Sequence, residues 1–215
     1  EPKGTRPVLR TPRADQYRRQ ALGLYQDLER LSRGADQGRS QMIRRDEVLF
    51  FLGSTLNDMG QGKAAVPAFE ELTTKFPSSS RVFAARLALA DLYFGTAQFT
   101  KAIPHYLRVA AGEGAPQGAE EEIANLRSYS LYKLAWCYVN TGAYPKAVLA
   151  FQRTLESSKN GSSEQRVAFE KEALNDLARA FALAGQFSEG EAWFESSGYG
   201  SAELLEQFRR NVADI

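Results

Sequence analysis

The chain is short of nearly every residue type on which metal chemistry and neutral-pH catalysis depend. Its 215 residues include one cysteine, Cys137, and one histidine, His105. A single cysteine excludes an internal disulfide and a thiolate zinc cage. A single histidine excludes a multi-histidine metal site and leaves little for acid–base work near neutrality. Long apolar runs are also lacking, and none approaches the roughly 20 residues that cross a bilayer as a helix. Glu1 is preceded by no methionine and followed by no signal-peptide apolar segment, so a processed or truncated form is expected, its targeting or anchoring segment lost. What remains is ordinary for a globular protein. The 43% hydrophobic and 25% charged residues suffice for a core, in one large domain or two small ones.

The formal charge of +1 hides an asymmetry. Residues 1–45 carry eleven Lys/Arg against five Asp/Glu, and residues 46–215 carry sixteen against twenty-one. Such a basic end can touch an anionic surface. Tyr17 is the one aromatic among Arg6, Arg10, Arg13, Arg18 and Arg19, where a single-strand binder needs several rings alternating with its cations, so a solvated tail and helix face is expected rather than nucleic-acid binding.

Periodicity is the most informative feature. From Asp46 to Pro77, apolar or small residues fall at Leu49, Leu52, Gly53 and Leu56, then at Ala65, Phe69 and Leu72. Spacings of three and four predict a helix to about Met59, a turn at Gly60, and a second helix from about Lys63 to Lys75. Pro67 is placed in the first turn of that helix, where a missing N–H costs nothing. The pattern returns three times. Leu89, Ala90 and Tyr93 precede the turn at Ala97, and Ala102, Tyr106 and Val109 follow it. Leu131, Leu134, Ala135 and Tyr138 precede Gly142, with Ala147, Phe151 and Thr154 beyond. Leu174, Leu177, Ala178 and Phe181 precede Gly185, with Gly190 and Phe194 beyond.

These residues resemble the tetratricopeptide repeat (TPR), a helix–turn–helix unit of about 34 residues. Gly53, Ala90, Ala135 and Ala178 match the small position where the two helices of a unit touch. Ala65, Ala102, Ala147 and Gly190 match the second small position, and Phe69, Tyr106, Phe151 and Phe194 the aromatic between units. The resemblance implies an all-α, right-handed solenoid of about four helix pairs. Units are expected at about 46–79, 80–109, 120–156 and 165–197, within a repeat region of 46–200. A flexible basic tail is expected at 1–13, and an N-terminal helix (Ala14–Arg33) with its loop at 14–45, which fits the second helix of a truncated leading repeat. A capping helix is expected at 201–215. The turns lie 37, 45 and 43 residues apart, so residues are inserted between units, at 110–119 and 157–163. The Phe76-Pro77-Ser78-x-Ser80 lead-in resembles bacterial envelope TPR proteins: the outer-membrane assembly lipoproteins and the periplasmic Tol-Pal division coordinators. The stretch Leu131–Tyr138 resembles delta-proteobacterial TPR proteins. Together they imply a periplasmic or cell-envelope location; a cytoplasmic adaptor, or the TPR part of a longer enzyme, is the alternative.

Several motifs carry no chemistry. Gly60-Gln61-Gly62-Lys63 lacks the earlier glycine and the Ser/Thr of a phosphate loop, having Asn57 and Ala64 there. Glu120-Glu121-Glu122 reads as a helix start, its charge matched to the N-terminal dipole. His105 has no nucleophile or acid at a defined spacing. Cys137 reads as a buried thiol, and Asn160-Gly161-Ser162 as a turn.

In TPR arrays the first helices line a concave groove. The expected groove residues are Phe50, Phe51, Ser54, Asp91, Tyr129, Tyr132, Lys133, Trp136 and Arg179. Phe50, Phe51, Tyr132 and Trp136 would be apolar anchors outside the packing between units, with Asp91, Lys133 and Arg179 setting selectivity. An alternative occupant is the N-terminal helix or an inserted loop of the chain itself. The carboxylate clamp of chaperone-type TPR domains is not matched, because its equivalents are Phe50, Ser54, Ala88, Tyr129 and Lys133, of which only the last is basic. The expected function is therefore a non-catalytic scaffold for a protein or peptide partner. No cofactor, metal, small-molecule substrate, nucleic acid or membrane span is expected, though anchoring through a lost N-terminus is compatible with it.

Overall fold

The computed structural model describes residues 11–34, 44–118, 120–158, 163–199 and 202–213. Most of the expected 1–13 tail, residues 35–43 of the loop expected after the N-terminal helix, and the Asn160-Gly161-Ser162 turn lie outside the described residues. Every regular element among the described residues is helical. The chain divides into two compact units, Glu1–Leu92 and Tyr93–Ile215.

The first unit contains α1 (Pro12–Gly34), α2 (Arg45–Asp58), α3 (Gly62–Lys75) and most of α4 (Val82–Gly95). Helix α1 starts where Thr11 Oγ1 accepts the Ala14 N–H at 3.1 Å, with proline following the capping threonine. Helices α2 and α3 close on each other because position 53 has no side chain: a Cβ there would stand 2.8 Å from the Phe69 ring. Leu49, Ala65, Phe69, Leu72, Leu89 and Ala90 form the solvent-free centre. Arg45 ties three helices together, bonding Ser32 Oγ at 3.0 Å, Glu29 at 3.3 Å and Glu71 at 2.6 Å. Burial would raise the Glu71 carboxyl, but its bonds to Arg45 and Lys75 outweigh that and hold it below the usual range.

The Phe76–Ser80 lead-in has a structural task here. Ser79 Oγ accepts the Arg81 N–H at 3.1 Å and donates to Asp46 at 2.6 Å, fixing the approach to α4 against the start of α2. The expectation for Pro67 needs correction. Helix α3 begins at Gly62, so Pro67 is a turn and a half inside it. Pro104 holds the same register in α5 (Phe99–Ala110). Both prolines are exposed, so water can reach the carbonyl that each leaves without a helical donor.

The second unit continues with α5, α6 (Glu120–Asn140), α7 (Tyr144–Ser158), α8 (Ser163–Leu183), α9 (Phe187–Ser196) and α10 (Ala202–Ala213). Helix α6 packs between α5 and α7, α7 against α8, and α8 against α9 and α10. Phe151, Leu177 and Phe194 are fully enclosed. Phe208 of α10 closes the far end against Phe181 and Phe194, and a Cβ at Gly190 would come within 2.7 Å of it. The long turn spacings are absorbed partly as helix: α6 and α8 have 21 residues each, against 14 in α2.

One turn chemistry recurs. The N–H groups of Gly60 and Gln61 bond Asn57 and Leu56 carbonyls, both at 2.8 Å, the paired capping bonds of a Schellman motif. The same pair of bonds closes α4 at Ala97-Gln98, α6 at Gly142-Ala143 and α8 at Gly185-Gln186. Each first residue is left-handed, including Ala97 at φ 56°, the one non-glycine with positive φ among the described residues.

Candidate partner-binding site

The expected groove residues fall in both units, and each face is described by itself. In the first unit, Phe50, Phe51 and Ser54 lie half-buried on α2, and Asp91 half-buried on α4. Phe50 meets Phe69 edge-on at 6.2 Å. Phe51 stacks on Tyr25 of α1, with ring centroids 5.7 Å apart and planes 15° from parallel. The Arg81 guanidinium stands 5.4 Å from the Phe50 ring and 5.2 Å from that of Phe51. Part of this aromatic surface therefore already has an occupant from the chain's own N-terminal helix.

In the second unit, α6 presents Tyr129, Tyr132, Lys133 and Trp136 along one face, as the three- and four-residue spacing requires. Helix α8 brings Asp176 opposite them. The Tyr132 hydroxyl donates to Asp176 Oδ2 at 2.7 Å, and the Trp136 indole N–H donates to the same oxygen at 3.2 Å. Both rings stand edge-on to Phe151, at 5.7 Å for Tyr132 and 6.2 Å for Trp136. Trp136 and Tyr132 are thus bonded into the packing of α6, α7 and α8. This corrects the expectation that Trp136 stands outside the packing between units. The reason is physical: a half-buried indole N–H and phenol need an acceptor, and the facing helix supplies one.

Burial raises the Asp176 carboxyl above its usual range, against the two donated bonds and the nearby Arg179, which act to lower it. The Tyr132 phenol is held well above its own usual value, by burial first and by the Asp176 bond second. Lys133 is placed beside this cluster, with Nζ 4.4 Å from the Phe94 ring centroid and 5.7 Å from that of Tyr129. Arg179 is exposed on α8, one turn beyond Asp176. The structure therefore joins Phe50 to Phe51, and Tyr132 to Trp136 through Asp176. By helical spacing Asp176 is a groove-facing position of the fourth repeat, with Glu172, Asn175 and Arg179, but the expected binding residues include only Arg179 of these four. A carboxylate on one first helix, facing a Tyr-x-x-x-Trp pair on the preceding one, was the available signal.

Cys137 is fully enclosed, and burial pushes its thiol up to about 12. His105 stacks beside Tyr93 at 5.9 Å. Among the described residues no three His, Cys, Asp or Glu side chains are grouped to hold a metal ion, and no helix is long and apolar enough to cross a membrane.

Residues 52–119 and 129–160 match two family models, each described as a tetratricopeptide repeat. No curated protein matches the chain. Among solved structures, the chain is similar to nearly identical TPR-like repeats from a Podosopora anserina protein described as a kinesin light chain. The likeness has a TM-score of 0.56 and 23% identity, covering 93% of this chain and 89% of that one. At that identity it speaks for the fold alone.

Proposed function

Taking the tetratricopeptide repeats of 52–119 and 129–160 as premise, we propose that the chain is a non-catalytic scaffold holding a segment of a partner protein on the first-helix face of its second unit. The observation that carries this reading is the Tyr132–Asp176–Trp136 cluster. Two large amphipathic rings are locked in place by one carboxylate, so little side-chain freedom is left to lose on binding. Tyr129 and Lys133 sit beside them half-buried, able to add an apolar contact and a cation. Such rigid aromatic anchors with a charged rim suit a peptide or helix better than a small substrate.

We further place this scaffold in a bacterial cell-envelope complex for assembly, division or motility, in the periplasm or anchored at the envelope. Support comes from the resemblance of Phe76–Ser80 and Leu131–Tyr138 to envelope TPR proteins. Fractionation of the full-length tagged protein tests the location, and a soluble cytoplasmic signal refutes it.

Binding is tested with the partner captured by the full chain and identified by mass spectrometry, then titrated against wild type, Tyr129→Ala and Lys133→Glu. These substitutions leave the Asp176 bonds in place, unlike Trp136→Ala, which disturbs packing and binding together. At least tenfold weaker binding by Lys133→Glu is expected. Equal affinity for all three proteins removes the site.

A further inference from the structure

The second unit carries another concave surface on the opposite side of α6. A cleft of about 740 Å³ opens between α5, α6 and α7. Helix α6 lines it with Ala124, Arg127, Leu131, Leu134 and Tyr138. At 3.6 residues per turn these positions lie roughly opposite the face carrying Tyr129, Tyr132, Lys133 and Trp136. The two surfaces share a helix but no side chain.

Its floor is apolar in an unusual way. Leu131 and Leu134 are buried, but Leu149 of α7 is 56% exposed and Leu107 of α5 is 44% exposed. These are two of the three strongly exposed large apolar side chains in the described part of the second unit, the third being Phe187. Placing both in one cleft leaves apolar surface in water that a ligand could cover. The rim has a sign. Arg127, Lys146 and Arg153 line it, with Glu156 as the one acid. Among the described residues none of these three cations takes part in an ion pair; Lys146 lies only over the Tyr138 ring, at 5.8 Å. The lining runs from Lys146 to Ser157 on α7 and from Ala124 to Tyr138 on α6. At 1.5 Å per residue this is a trough about 16–21 Å long, the length of a helix of three to four turns.

From the trough's length, its exposed leucines and its uncompensated cations, we propose that the α5–α6–α7 cleft docks an acidic amphipathic helix of a partner protein. The apolar face of that helix covers Leu107 and Leu149, and its flanking carboxylates pair with Arg127, Lys146 and Arg153. This site is independent of the Tyr132–Trp136 face and does not rest on that reading.

The test uses the full chain and a fluorescein-labelled synthetic peptide of about four helical turns, leucine at positions i, i+3, i+4 and i+7 and glutamate on the remaining faces. A second peptide replaces every glutamate by lysine. Fluorescence anisotropy is expected to show saturable binding of the acidic peptide that weakens as salt is raised. Arg127→Glu combined with Arg153→Glu is expected to weaken it at least tenfold, and Leu149→Ser severalfold, while Lys133→Glu leaves it unchanged. All the altered residues but Lys133 are exposed, and circular dichroism of each variant checks its helicity. If the double charge reversal fails to fold, Leu149→Ser and Lys146→Glu carry the decision. Any of four results overturns the proposal: equal binding of the lysine peptide, unchanged binding by the cleft variants, no saturation by about 1 mM, or saturation of the cleft by a long-chain carboxylate that the acidic peptide cannot displace. The last would reassign the cleft to a small amphiphile.

Discussion

Replacing Asp176 separates an acceptor from a charge. Asp176→Ala strands two donors, the Tyr132 hydroxyl at 2.7 Å and the Trp136 indole N–H at 3.2 Å. Hydrogen bonds to charged groups contribute about 1.5–3 kcal/mol each. Both rings are half-buried, so water rehydrates the donors in part and the lower end applies, about 3 kcal/mol for the pair. Removing the carboxylate also relieves its desolvation, which returns about 1 kcal/mol. The net loss is about 2 kcal/mol, equivalent to a fall in Tm of roughly 4–8 °C for a chain of this size. Asp176→Asn keeps an acceptor oxygen in the same place without a buried charge, so it is expected within about 1 kcal/mol of wild type. Both tryptophans, Trp136 and Trp193, lie in the second unit, so urea unfolding followed by tryptophan fluorescence reports on that unit. Equal stabilities for Ala and Asn, or a loss below about 0.5 kcal/mol for Ala, would refute the reasoning.

Four further outcomes can be checked. Phe151 is fully enclosed and supports both Tyr132 and Trp136, so Phe151→Ala is expected to cost about 3–5 kcal/mol in the same fluorescence assay. Ala97 holds φ 56° where the equivalent turns have glycine, so Ala97→Gly is expected to raise stability by about 0.5–1 kcal/mol, measured by thermal unfolding. Asp176 has a raised folded pKa, so its contribution is fully present below the ordinary Asp value and fades as pH rises through the folded one; Asp46 and Glu71 are lowered, so theirs is present above ordinary carboxyl values and fades as pH falls. Fluorescence-detected stability should therefore gain on mild acidification in wild type relative to Asp176→Asn. A thiol reagent at neutral pH should leave Cys137 unmodified until the protein is denatured, because the thiol is enclosed and its pKa is about 12.

Helix pairs, turns and the core aromatics were legible in the sequence because each is a local requirement repeated at fixed spacing. Gly53, Ala65 and Phe69 announce a close helix crossing wherever they occur in that order, and Gly60, Gly142 and Gly185 announce a left-handed cap. Ala97 was legible as a turn only by its place in the series, since its own chemistry argues against positive φ. The side-chain bonds were less legible because they join residues far apart. Tyr132 and Asp176 are 44 positions apart, and nothing local to either names the other. Arg45 likewise reaches Glu29 and Glu71 on two other helices. The Pro67 register failed for a different reason. The start was expected at about Lys63, one residue from the observed Gly62, but even from Lys63 Pro67 is the fifth residue and lies beyond the first turn, so the error was in the register and not in the boundary.

The decisive measurement is site-specific photo-crosslinking in the native host, with a benzophenone amino acid placed in turn at Tyr129, Lys133 and Ser188. The first two flank the Tyr132–Asp176–Trp136 cluster, and Ser188 is an exposed position at the start of α9. A protein scaffold using this face should give one discrete crosslinked protein from 129 and 133, absent from 188, and lost when Lys133→Glu is combined with the probe at 129. Equal crosslinking from all three positions, or none from 129 and 133, would contradict it.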